Sequence, residues 1–139
     1  MIIVDTGGIL ALLDADDHHH EKVLANYESA GERWVVPWAT LPEIDYLATK
    51  YLGAKVALEF ASDISRGVFR VEGYNVEDIK RAVTIQKAHP RLKLGLVDAV
   101  VMAQAARRRA EAIVTLDIRH FGAVSLNIHP PPKLIPFDS

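Results

Sequence analysis

Residues 96–117 read LVDAVVMAQAARRRAEAIVTLD. The first part is small and apolar on every side, and it predicts a strong helix from Leu96 to Arg109. The second part predicts a short buried strand over Ala112–Leu116, which ends at Asp117. A helix that leads directly into a buried strand is typical of an α/β protein with a parallel sheet.

The rest of the chain alternates in the same way. Further strands are predicted over residues 1–4, 34–36, 68–71 and 125–128, and further helices over about 9–13, 18–30, 40–51, 54–65 and 76–88. The tail from Pro130 to Ser139 holds four prolines and is expected to be extended and to lie on the surface. Strands that alternate with helices pair in parallel through right-handed crossovers. We therefore expect residues 1–139 to form a single domain, a three-layer α/β/α sandwich around a mainly parallel sheet.

The composition is that of an ordinary globular protein, since 50% of the residues are hydrophobic and 24% are charged. The absence of cysteine excludes disulfides and thiolate metal sites. No basic segment precedes the apolar start, and no run of about 18 apolar residues occurs. We therefore expect neither a signal peptide nor a membrane span, and we expect a cytoplasmic location.

The charges are divided unevenly along the chain. Residues 1–70 carry 6 Lys/Arg against 11 Asp/Glu, whereas residues 71–139 carry 10 against 7. The basic residues of the second half form two clusters: Lys80, Arg81, Lys87, Arg91 and Lys93, then Arg107, Arg108 and Arg109. Such clusters are either solvated helix faces or a basic rim around an acidic pocket, and the sequence leaves both open.

Four acidic residues stand at the ends of predicted elements. Asp5 and Asp117 each follow a buried strand, and the carboxyl ends of parallel strands border the functional crevice of an α/β sheet. Glu43 and Asp98 lie near the starts of helices. Four carboxylates brought together would repel one another, and a divalent cation would remove that cost. Oxygen ligands favour Mg²⁺ or Mn²⁺, which can activate water against a phosphodiester.

Each of these residues also has a structural interpretation. Glu43 would complete a capping box with Thr40, and Asp98 would satisfy the amino end of its helix. Asp45 competes with Glu43 but points about 200° away on the helix, so it is interpreted as structural or as an outer group. His120 is interpreted as structural or as part of the rim. The side chains of residues 18–20, three adjacent histidines, diverge and are not expected to chelate together.

The segments MIIVDTGGILALLD, LPEIDYLA and LGLVDAVVMAQAARRRAEAIVTLDIRHF resemble PIN-domain ribonucleases, especially the toxins of VapBC toxin–antitoxin modules. The resemblance covers nearly the whole chain in the same order. It implies a Mg²⁺- or Mn²⁺-dependent endoribonuclease, usually a homodimer, that acts as the toxin of a type II pair and is inhibited by a VapB-type antitoxin. Carried over to this sequence, it implies the following site: catalytic Asp5, Glu43, Asp98 and Asp117, with Asp5, Asp98 and Asp117 as metal ligands, and Thr6 and Thr115 as supporting hydroxyls.

The chain departs from this family after the first aspartate. Thr6 precedes Gly7 and Gly8, whereas many relatives have Ser or Asn followed by Ala. Two glycines in the first turn of a helix cost roughly 1 kcal/mol each relative to alanine. They either let a ligand approach the backbone closely or loosen that turn.

Other functions fit the sequence less well. A phosphotransfer domain also uses an aspartate after a buried strand, but the phosphatase pattern needs a second aspartate where Gly7 stands. A non-catalytic PIN scaffold would not need all four acidic positions filled. The nearest enzymatic alternative is a stand-alone PIN nuclease in RNA processing or DNA repair.

Overall fold

The computed structural model describes residues 1–138, which fold around a five-stranded sheet. The strands are Ile2–Val4 (β1), Trp34–Pro37 (β2), Arg70–Glu72 (β3), Ala112–Val114 (β4) and Lys133–Ile135 (β5). The helices are Thr6–Leu13 (α1), His20–Ala30 (α2), Leu41–Leu52 (α3), Ala54–Ser65 (α4), Val76–Ala88 (α5), Leu96–Arg107 (α6) and Ile118–Phe121 (α7). The strand order is β3-β2-β1-β4-β5, and all four pairings are parallel.

Alternate residues of β1 point to opposite faces of the sheet and assign the helices to two layers. Ile2 and Val4 pack in one cluster with residues of α1, α2, α3 and α4. Ile3 packs in a second cluster with Val101 and Met102 of α6. Helices therefore cover both faces of a parallel sheet, and the predicted three-layer α/β/α sandwich is confirmed.

The small apolar residues of α6 are explained by its position between the sheet and α5. Val101 and Ala105 belong to the cluster that includes the sheet, whereas Ala99 and Ala103 pack with Ala82 of α5. A helix that is covered on two sides cannot present a single apolar stripe, so its sequence is apolar nearly all round.

Gly8 is required by close packing between α1 and the sheet. A Cβ atom at this position would lie 2.8 Å from the carbonyl oxygen of Val114 and 2.8 Å from its Cγ1 atom. The absence of a side chain therefore brings α1 against β4, next to the end of β1. Close packing is therefore sufficient to explain this glycine.

The predicted last strand over residues 125–128 is wrong. These residues are irregular, with Asn127 in the left-handed region at φ 56°, and β5 instead forms at Lys133–Ile135 inside the proline-rich tail. The backbone N–H of Lys133 donates to Glu111, and Ile135 accepts from Thr115, so pairing with β4 decides the position of the strand. The tail is thus partly built into the sheet, although its last residue, Ser139, lies outside the described residues.

Other boundaries moved by one to three residues, the most at α1, which begins at Thr6. β3 begins at Arg70, two residues later than predicted, and α2 begins at His20. The helices over 54–65 and 76–88 have the predicted bounds. Within residues 1–138, no helix is both long enough and apolar enough to cross a bilayer.

Candidate active site

The four acidic residues reach the carboxyl edge of the sheet from four elements. Asp5 follows β1 and is the N-cap of α1, and Asp117 follows β4 and is the N-cap of α7. Glu43 and Asp98 lie in the first turns of α3 and α6. The structure brings them together, because the charges of Glu43 and Asp98 affect the pKa of Asp5 and the charges of Glu43 and Asp117 affect the pKa of Asp98.

Asp5 is the most deeply buried of these carboxylates, with 5% of the residue exposed. Burial, followed by the negative charge of Asp98 and a smaller contribution from Glu43, raises the pKa of Asp5 from 3.8 to about 7. Its Oδ2 atom accepts a hydrogen bond of 3.1 Å from the Thr115 hydroxyl. Its Oδ1 atom is buried without a hydrogen-bond partner among the described residues. An unpartnered buried oxygen is costly, and a bound cation would remove that cost.

Thr115 connects the two strand-end aspartates. Its hydroxyl donates to Asp5 Oδ2 and accepts from the backbone N–H of Asp117 at 3.0 Å. The residue is fully buried, so water does not compete for these bonds. The hydroxyl of Thr6, the other residue that the resemblance singled out, is also buried and has no partner within residues 1–138.

A third group, His120, lies between Asp98 and Asp117. Its Nδ1 atom is 2.8 Å from Asp117 Oδ2 and 3.4 Å from Asp98 Oδ2. One ligand atom from each of these three residues lies within 4.8 Å of the other two. Burial and the charges of Asp117 and Glu43 raise the pKa of Asp98, and the imidazole of His120 partly opposes them.

The sequence had not assigned His120 to the site. The backbone N–H of His120 donates to Asp117 Oδ1 at 3.1 Å, which closes the short turn of α7 and returns the imidazole toward the aspartate. The sequence did contain a signal for this placement, the Asp-x-x-His spacing of Asp117 and His120 after a strand. Residues three apart on a helix face the same side, so the spacing predicts that the two side chains lie together.

The predicted capping box of α3 is wrong. The Thr40 hydroxyl donates to the carbonyl of Pro37 at 2.7 Å and makes no cap bond to the helix. Glu43 is half-buried, and its carboxylate makes no hydrogen bond to another residue of 1–138. Its charge raises the pKa of Asp5 and Asp98, so from the first turn of α3 it acts on the acidic group.

Two other candidates lie elsewhere. Asp45 is exposed and lines a groove against Phe60 and Ile64 of α4. The histidines at positions 18–20 do not all diverge as expected, because the rings of His18 and His19 lie in edge-to-face contact with centroids 5.0 Å apart, whereas the His20 ring nitrogen lies 2.8 Å from the carbonyl oxygen of Ala11. Neither contributes to the acidic group.

The donor set suits a hard divalent cation. Carboxylate oxygens are the ligands that Mg²⁺ and Mn²⁺ prefer, and an imidazole nitrogen is accepted well by Mn²⁺. The unpartnered Oδ1 of Asp5 and the raised pKa values of two aspartates are the expected signs of a site that lacks positive charge.

Comparison with known proteins agrees with this architecture. The family model described as PIN domain matches residues 2–125. Ribonuclease VapC26 of Mycobacterium tuberculosis is 29% identical over 123 residues, which span 88% of this chain and 91% of that protein. The crystal structure of VapC20, a toxin of Mycobacterium tuberculosis that cleaves the sarcin-ricin loop, has a TM-score of 0.74 at 22% identity and covers 81% of this chain and 87% of its own. The structure of DNA-bound VapBC from Salmonella typhimurium has a TM-score of 0.70 at 20% identity, with 96% and 95% covered.

Proposed function

The chain belongs to the PIN domain family, and on that premise we propose that residues 1–139 form one PIN domain that cleaves RNA with Mg²⁺ or Mn²⁺ as the toxin of a type II toxin–antitoxin pair. The observation that carries the proposal is the buried, unpartnered Oδ1 of Asp5 next to the charges of Asp98 and Glu43. The name of the Mycobacterium tuberculosis relative, a ribonuclease, supports RNA as the substrate.

Asp5, Asp98 and Asp117 would hold the cation, and His120 lies close enough to Asp98 and Asp117 to share in the site. A divalent cation bound there would lower the pKa of a water molecule and neutralise charge that develops on the phosphodiester. Asp5 suits a metal ligand because its buried Oδ1 atom has no hydrogen-bond partner within residues 1–138.

The remaining residues orient these groups and the reactants. Thr115 fixes the direction of the Asp5 carboxylate and ties it to the backbone of Asp117. Glu43, whose carboxylate has no hydrogen bond to residues 1–138, is free to accept a proton from the attacking water. The unpartnered hydroxyl of Thr6 is available to a group that enters the site.

Cleavage of a mixed RNA pool by purified protein tests this proposal. Glu43→Gln should reduce the rate by about 10²-fold or more, because general base catalysis contributes at least that much, and EDTA should abolish cleavage. Asp45→Asn is the matched control, since Asp45 is on the same helix but faces α4. Activity that survives EDTA, or an equal loss in the two variants, would refute the proposed mechanism.

We further propose that a VapB-type antitoxin occupies the apolar groove between α3 and α4. The groove has a volume of about 270 Å³ and is lined by Leu41, Pro42, Asp45, Phe60, Ala61 and Ile64. Pro42, which lines the groove, is adjacent to Glu43 in the first turn of α3. An amphipathic segment laid there would deliver an Arg or Lys to the carboxylates and thereby replace the cation's charge.

Co-expression with the product of the neighbouring small gene tests this partner. Ala61→Arg should abolish co-purification while RNA cleavage persists, because Ala61 is exposed and its substitution fills the groove without removing a core side chain. Glu59→Arg on the same helix is the control, since Glu59 is exposed and does not line the groove. If the wild type is neither toxic nor bound, the function that remains is a stand-alone PIN nuclease. Light scattering of the free protein tests the proposed homodimer.

A further inference from the structure

A second concave site lies away from the acidic group, between α5, the end of α6 and the irregular segment 125–128. It has a volume of about 390 Å³, within the range of about 300–1,000 Å³ that ligand pockets occupy. Its more buried lining is apolar: Ile85, Ala106, Leu126 and Ile128. Its exposed lining is polar: Arg81, Thr84, Arg109, Ser125 and Asn127. No residue of the lining is acidic.

Arg81 and Arg109 differ from the neighbouring basic residues because neither makes an ion pair within residues 1–138. Arg107, by contrast, donates to both carboxylate oxygens of Asp78, at 2.8 and 3.0 Å. The other acidic side chain nearby, Glu77, lies 3.4 Å from Lys80. The local carboxylates therefore contact other cations, and within residues 1–138 no carboxylate lies within 4.0 Å of either guanidinium group at the pocket.

The backbone at Arg109 adds a second observation. Arg109 has φ 48°, in the left-handed region, one position beyond the residue that caps the end of α6. Glycine or asparagine usually occupies this position, and another residue costs roughly 1 kcal/mol there. The backbone N–H groups of Arg109 and Ala110 donate to the carbonyls of Ala106 and Ala105, which is a Schellman motif, so this φ belongs to the end of α6 and sets Arg109 at the wall of the pocket.

We infer that this pocket binds a nucleotide of the RNA strand outside the cleavage site, with the phosphate between Arg81 and Arg109 and the base or ribose on the apolar lining. The inference rests on RNA being the substrate, as proposed above. Guanidinium groups bind phosphate through paired N–H donors, and Asn127 adds an amide. The Thr84 hydroxyl already donates to the carbonyl of Lys80, so the arginines supply most of the attraction.

The distance to the acidic group fits one bound strand. Asp98 and Arg107 are nine residues apart in α6, which corresponds to about 14 Å at the rise of a helix, and Arg109 lies two residues beyond, so the separation is about 16 Å. That length spans about five stacked nucleotides at about 3.4 Å each. The pocket therefore acts only on RNA that extends at least this far from the scissile phosphate.

Fluorescence anisotropy with a labelled 20-nucleotide RNA in EDTA measures binding without cleavage. The double variant Arg81→Glu/Arg109→Glu should weaken binding at least 10-fold and reduce the slope of log K against log salt by about 0.7, since the two arginines share one phosphate and each phosphate contact on a single strand contributes about 0.7. Arg81→Lys/Arg109→Lys should restore the salt slope. Lys55→Glu, an exposed charge change on α4 in the opposite layer, should alter binding less than 2-fold.

Cleavage of long RNA gives an independent readout. The Arg81→Glu/Arg109→Glu variant should raise KM for long RNA with kcat within 2-fold of wild type, and it should cleave a three-nucleotide RNA, which is too short to reach the pocket, as wild type does. Wild-type affinity in a double variant whose circular dichroism is native would overturn the inference, and so would an equal loss with Lys55→Glu. Binding of millimolar AMP to the wild type, lost in the double variant, together with no binding of the labelled RNA would identify a free nucleotide as the ligand and would also overturn the inference. Binding is measured without cleavage. If only the nuclease proposal fails, the RNA still binds in EDTA and the double variant still weakens that binding, although no RNA is cleaved.

Discussion

Replacing Asp5 with Asn should stabilise the metal-free protein at alkaline pH. The raised pKa of Asp5, about 7 against an ordinary 3.8, means that the folded state holds the proton more tightly than the unfolded chain does. Below pH 3.8 the carboxyl is protonated in both states and causes no loss of stability. As the pH rises to about 7 the unfolded chain releases the proton first, so the free energy of unfolding falls, and above that pH the full loss persists.

The size of the loss follows from the two pKa values. The interval from 3.8 to about 7, at about 1.4 kcal/mol for each pH unit, corresponds to roughly 4 kcal/mol. Roughly half to two thirds of it develops between pH 5 and pH 8. For a chain of this length each kcal/mol moves the melting temperature by roughly 3 °C. Asn keeps the shape and the acceptor for the Thr115 hydroxyl but carries no charge, so it avoids this loss.

Thermal melts in EDTA at pH 5 and pH 8 measure the effect. The melting temperature of the wild type should fall by roughly 5–10 °C more than that of Asp5→Asn, and Asp16→Asn, an exposed loop control, should follow the wild type. Added Mn²⁺ at a hundredfold excess over its dissociation constant should stabilise the wild type by about 2.7 kcal/mol, and the variant much less. Parallel pH profiles for wild type and Asp5→Asn would refute the raised pKa of Asp5, and with it the burial of this carboxylate beside the charge of Asp98.

Two further substitutions test the frame that holds the site. Gly8→Ala should destabilise the protein by about 2 kcal/mol in urea denaturation, because the new Cβ would meet the Val114 carbonyl, whereas Gly95→Ala meets nothing within 4 Å and should change little. Arg107→Leu should cost about 3 kcal/mol by leaving the carboxylate of Asp78, which is 2% exposed, without its partner; a loss below about 1 kcal/mol would contradict that account.

Local sequence signals predicted most of the helices and the order of the layers. The helix over 54–65 lies between Gly53 and Gly67, which both adopt positive φ, and the helix over 76–88 begins at an Asn75 capping box. These signals act within a few residues. The position of β5 could not be found in this way, because three residues form a strand there only through hydrogen bonds with β4.

The sequence predicted those parts of the candidate site that follow from the order and pairing of the strands. Asp5 follows β1 and Asp117 follows β4. These two strands pair with each other in parallel, so the proximity of the two aspartates follows from that pairing. The choice between a cap and a site role for Glu43 depended on whether Thr40 bonds to the helix or to Pro37, and local sequence allows both. The assignment of His120 to the site depended on the direction of its side chain in the four-residue helix α7, which local sequence does not determine. The catalytic and metal roles of these residues stay predictions.

The strand that the sequence did not predict also supports the candidate site. The backbone N–H of Thr115 donates to the carbonyl of Ile135 in β5, while the Thr115 hydroxyl joins Asp5 to the backbone of Asp117. A threonine whose backbone is held on the far side by β5 keeps its hydroxyl in one direction, because a β-branched side chain has few rotamers. The position of the Asp5 carboxylate therefore depends on the carboxyl-terminal strand, about 130 residues further along the chain. For this reason the segment after residue 125, although it follows the part matched by the PIN family model, belongs to the structure that positions the acidic group.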